Sequence, residues 1–134
     1  MTTLAAVPQE LVRALRGLDG AVWLEPGLRE LVAVRTAQID GCGELLAEHA
    51  RAALELGETP ERLVALSDPD RRRAFTRRER AALAFVDALA GVDPSRLAEA
   101  RRDAALYFEP VELAHIAFTC AAAAAWDRLV LAAA

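Results

Sequence analysis

The stretch Pro26-Gly27-Leu28-Arg29-Glu30-Leu31-Val32-Ala33-Val34-Arg35-Thr36-Ala37-Gln38-Ile39-Asp40-Gly41-Cys42-Gly43-Glu44-Leu45-Leu46-Ala47-Glu48-His49 decides the fold of this chain. Pro26 suits the first turn of a helix, where a missing N–H costs nothing. Leu28, Leu31, Val32, Arg35 and Ile39 then recur at helical spacing, which predicts a helix over Pro26–Ile39 with these residues along one side. Asp40-Gly41 breaks the pattern. A second segment runs from Cys42 to Leu56, with Gly57 as its stop.

The same punctuation extends in both directions. All six prolines stand where helices begin. Pro8 opens Pro8–Leu18, and Pro60 opens a short helix with Thr59 as its N-cap. Asp68-Pro69 starts a short turn. Thr76-Arg77-Arg78-Glu79 is a capping box ahead of the apolar run Ala81–Ala90, which Gly91 ends. Asp93 caps a helix over Pro94–Leu106, and Glu109-Pro110 opens a last helix running nearly to the end. Five alanines at Ala121–Ala125 predict close helix contacts there. No segment alternates with period two long enough to make a strand. The expectation is an all-α fold of six or seven helices, with residues 1–134 as one domain.

Composition narrows the function. The chain is 54% hydrophobic and 27% charged, which is globular. So much apolar surface on a small chain points to a homo-oligomer. All 16 basic residues are arginine, so lysine Schiff-base chemistry is excluded. A net charge of −4 disfavours nucleic acid as a partner. Arg71, Arg72, Arg73, Arg77, Arg78 and Arg80 are interleaved with Asp68, Asp70 and Glu79 and read as a solvated loop and helix start. No signal segment is apparent, and the apolar run Ile116–Trp126 is too short to span a bilayer. A cytoplasmic protein with no membrane partner is expected. Its two cysteines then form no disulfide framework. No cofactor or metal is expected.

Three reactive side chains stand out: Glu30, Cys42 and His49. On one helix Cys42 and His49 would share a face ~10 Å apart along the axis, with Leu45 between them. His115 and Cys120 lie ~140° apart around the last helix and form no local pair. Cys120, among alanines, reads as a small core residue. Trp23, Phe118 and Trp126 read as core or pocket wall, and Glu44 and Glu48 as facing solvent or a subunit contact.

The run from Arg29 to Cys42 resembles the core motif of the carboxymuconolactone decarboxylase family, which includes the AhpD-like alkylhydroperoxidases. In that family a glutamate lies twelve residues before the first cysteine of a Cys-x-x-Cys pair, and a histidine four after the second. Glu30, Cys42 and His49 match these positions. The likeness continues through His49–Leu63, Phe75–Phe85 and Ala125–Leu129. It implies an all-α fold and, usually, trimers or hexamers.

In the peroxidase members the second cysteine attacks the peroxide and the first resolves it, with a glutamate–water–histidine relay activating the attacker. Here Leu45 holds the attacker's position. The resemblance therefore favours acid–base chemistry on a small organic substrate, with Glu30 and His49 exchanging protons and Arg35 available for a substrate carboxylate. A one-cysteine peroxidase working through Cys42 is the alternative, and a redox-inactive binding or scaffold protein is a third.

Overall fold

A computed structural model describes residues 6–133. Its elements are α1 (Gln9–Ala21), α2 (Pro26–Asp40), α3 (Gly43–Glu55), α4 (Pro60–Ala65), a 3-10 helix (Pro69–Ala74), α5 (Arg77–Ala90), α6 (Pro94–Ala104) and α7 (Pro110–Ala133). Among the described residues there is no strand, as expected of an all-α protein.

The local signals act as their chemistry requires. Thr59 Oγ1 accepts from the Arg62 backbone N–H at 3.2 Å, and Asp93 Oδ1 accepts from Ser95 N–H at 3.0 Å. At α5 the capping box closes in both directions: Glu79 N–H donates to Thr76 Oγ1, and Thr76 N–H donates to Glu79 Oε1. Gly41 ends α2 with φ +71°, a left-handed conformation that glycine adopts without steric cost. That one residue turns the chain back, so that α3 packs along α2.

α2 is the central element, packing against α3, α5 and α7. Leu28 and Val32 join one apolar cluster with Phe85, Val86, Phe108 and Ile116. Leu31 and Val34 join a second with Leu63, Leu66, Phe75 and Leu83. The expectation of one apolar side is therefore corrected. The buried set is Leu28, Leu31, Val32, Ala33, Val34, Thr36 and Ala37, which wraps the helix, whereas Ile39 is exposed and Arg35 only half-buried. A helix buried on several faces has no single stripe to read.

Three further expectations change. The Arg71–Arg73 run is not wholly solvated: Arg72 is buried, donating to Asp87 at 2.6 Å and to the Leu66 carbonyl at 2.8 Å. Trp23 and Phe118 are 67% and 52% exposed rather than core. The apolar stretch of the last helix also extends beyond Ile116–Trp126. Over its 24 residues α7 is long and apolar enough, by length and composition, to cross a membrane. Here it packs against α1, α2, α3 and α5 and carries a buried aspartate, Asp127.

Candidate active site

Glu30 comes from the first half of α2 and His49 from the middle of α3, and the Gly41 reversal brings them together. His49 Nδ1 lies 2.9 Å from Glu30 Oε2, with the two side chains 29% and 19% exposed. The contact fixes the imidazole: Nδ1 carries the proton donated to the carboxylate, which leaves Nε2 to exchange a proton with a ligand. The histidine pKa is raised. The hydrogen bond donated to Glu30 is the main cause; burial opposes it, and the charges of Glu30, Asp127 and Glu48 add to it.

The pair opens onto a cavity of about 330 Å³ between α1, α2, α3 and α7. Asp19, Arg29, Thr119 and Trp126 share its lining with Glu30 and His49. Asp19 is held from two sides. Arg29 donates to its carbonyl at 2.7 Å and to its Oδ1 at 3.3 Å, and Trp126 Nε1 donates to its Oδ2 at 3.2 Å. The end of α1 is thereby tied to α2 and α7, which closes one side of the cavity. The site thus combines a carboxylate–imidazole pair, a guanidinium and an indole wall. Among the described residues no group of three or more His, Cys, Asp or Glu side chains is placed to hold a metal ion.

Cys42 stands apart from this cavity. It precedes α3 with non-helical φ −91° and ψ 90°, so the helical geometry expected between Cys42 and His49 does not apply. Its side chain is 1% exposed and packs with Leu45, Val130 and Trp126. Leu45, at the family's attacking position, is 4% exposed in the same cluster. Cys120 belongs to a different cluster, and both thiols are free. The Cys120 thiol pKa is pushed up, mainly by burial, while Thr36 Oγ1 at 3.7 Å acts against the shift.

Arg35 is also away from the cavity. It donates to Asp87 at 2.8 Å and to Gln38 at 3.3 Å, so it braces α2 against α5. The cation that lines the cavity is Arg29. Trp126 is both pocket wall and core, as expected of it, and Glu44 and Glu48 are exposed.

A carboxymuconolactone decarboxylase family model matches residues 9–88, more than half of the chain. The chain belongs to the carboxymuconolactone decarboxylase family. A crystal structure of a protein of unknown function from Agrobacterium tumefaciens, suggested to be the antioxidant defence protein AhpD, superposes with a TM-score of 0.89. It covers 96% of this chain and 91% of that one at 22% identity, a likeness that speaks for the fold alone. No curated protein matches the sequence. The match thus places this α2–α3 hairpin, and the pair it assembles, inside the carboxymuconolactone decarboxylase region.

Proposed function

We propose that this carboxymuconolactone decarboxylase family protein is an acid–base enzyme acting on a small organic acid. The observation that carries the reading is the 2.9 Å His49–Glu30 contact at the wall of a cavity that also holds Arg29. A carboxylate bound near Arg29 would place a neighbouring carbon beside the imidazole. His49 Nε2 then removes or returns a proton there, and Glu30 stabilises the imidazolium that forms. Such a step serves isomerisation or decarboxylation. The burial of Cys42 and Leu45 weighs against peroxide chemistry, which requires a reachable thiolate.

The test is solvent deuterium incorporation by ¹H NMR, with small lactone and unsaturated carboxylic acids as substrates. Glu30→Gln and His49→Ala each lower the exchange rate ~10²-fold or more, while Arg29→Gln raises KM first. Exchange that persists unchanged in both the Glu30 and His49 variants overturns the reading.

Self-association is part of the same proposal. Val111 and Phe118 are 63% and 52% exposed on one face of α7, seven residues apart. His115 lies between them and accepts the Trp23 backbone N–H at 2.9 Å. Two large apolar side chains are thus left on one face of α7 in water, and sedimentation equilibrium should find a trimer or hexamer.

A further inference from the structure

Behind the candidate site lies a pair of acids that its mechanism does not use. Asp127 follows Trp126 on α7 and is 1% exposed. Asp40, at the end of α2, is its carboxyl neighbour. The Oδ2 atoms of both residues are enclosed and have no hydrogen-bond donor to meet them. Ionised carboxylates only accept hydrogen bonds, so two of them in contact need a proton between them. Leaving both charged with these oxygens enclosed would carry the cost of burial and of like-charge repulsion.

We propose that Asp40 and Asp127 share one proton, and that the singly charged pair is a positioning element for His49, favouring its imidazolium and joining α2 to α7. The surroundings fit one negative charge. The charge of His49, from α3, acts on Asp127, and that of Glu48 acts on the imidazole; Glu30 of α2 holds His49 Nδ1; on α7 the charge of Arg128 also acts on Asp127, and Cys120 is a neutral thiol. Asp87 of α5 acts on Cys120 and is itself neutralised by Arg35 and Arg72. Consistent with this, burial and then Asp40 push the Asp127 pKa up to about 7, against the pull of His49 and Arg128. The effect on turnover rests on the acid–base role proposed for His49; the proton sharing does not.

The test is an NMR titration of the two histidine rings, His49 and His115, in the ligand-free protein and three variants. Asp40→Asn and Asp127→Asn each remove the shared proton and keep one negative charge, since the new amide donates to the remaining carboxylate. Below about pH 7, where the parent pair also carries one charge, each therefore leaves the imidazolium-to-imidazole ratio of His49 unmoved. The double variant removes the charge, and the imidazolium-to-imidazole ratio of His49 at fixed pH falls ~3-fold. His115 does not move in any variant. If each single variant shifts His49 by half of the double's effect, the two acids ionise separately and the proposal fails. It fails equally if the double variant shifts nothing.

A second measurement uses the unaltered protein, in case a variant does not fold. Infrared difference spectra should show the carbonyl stretch of one protonated carboxyl group above the ordinary aspartate range, fading as pH passes about 7. Its absence overturns the proposal. Should the titrations come out as expected while the pH profile of deuterium exchange stays fixed in the double variant, it is the acid–base role of His49 that fails, not the pair.

Discussion

α2 carries two carboxylates, Glu30 and Asp40, with opposite partners. Glu30 meets an imidazole at the wall of a cavity; Asp40, itself half-buried, meets the carboxyl group of the buried Asp127. The first contact pairs unlike charges where solvent still reaches, so it favours the charged imidazole. The second brings like groups together with one oxygen of each enclosed, so it favours protonation of one. The same functional group on the same helix is therefore ready to exchange protons at one end and to retain one at the other. The partner and the local burial set the chemistry, and residue type alone does not.

The sharpest way to break this contrast is to remove the exchanging pair. The ~10²-fold loss of deuterium exchange in Glu30→Gln and His49→Ala should have no counterpart at Asp40→Asn. A comparable loss in Asp40→Asn would mean that the two ends of α2 work as one unit.

Stability against pH separates the pairs next. Asp127 has a folded pKa of about 7 against an ordinary value of 3.8. Between these limits the folded state holds a proton that the unfolded state has lost. Stability from this group is thus complete below pH 3.8 and is lost as pH rises to about 7, then flat. His49 is also raised, so its share is complete below 6.5 and is lost as pH rises through the folded-state value. Thermal melts should show Tm falling from mildly acidic to neutral pH. At pH above 7, Asp127→Asn should melt ~5 °C higher than the parent, whereas Glu30→Gln should melt lower. A lower Tm for Asp127→Asn at alkaline pH would contradict the raised carboxyl.

The smallest expected effect concerns the thiol. Cys42→Ala should leave deuterium exchange within ~2-fold, because the side chain lies outside the cavity. In the folded protein iodoacetamide should label Cys42 slowly and unfolding should release it. Rapid labelling with loss of exchange would bring Cys42 back into the site.

Much of this was legible in the sequence, and the reason is local. Proline and glycine positions, Thr59, Asp93 and the Thr76–Glu79 box act within a few residues, so the helices could be placed from them alone. Glu30 and His49 could be paired because a motif of fixed spacing spans a single reversal. The remaining site residues come from distant segments. Asp19, Arg29 and Trp126 meet only once α1 and α7 pack on α2, and Arg29 looked no different from the other fifteen arginines. Arg35 was the plausible cation by proximity, but Asp87 lies fifty-two residues away and claims it. Asp127 did leave a signal. A carboxylate directly after five alanines and a tryptophan sits where acids are seldom buried without a partner. Its partner, Asp40, read only as a helix end.

The clamp on Asp19 also bears on how the cavity fills. α1 has one buried residue, Val12, so little apolar surface holds it down. Its far end depends on the Arg29 and Trp126 hydrogen bonds. Elements with few buried contacts open at low free-energy cost. α1 is accordingly a loosely held wall of the chamber, and its amides should exchange with solvent soonest among the long helices.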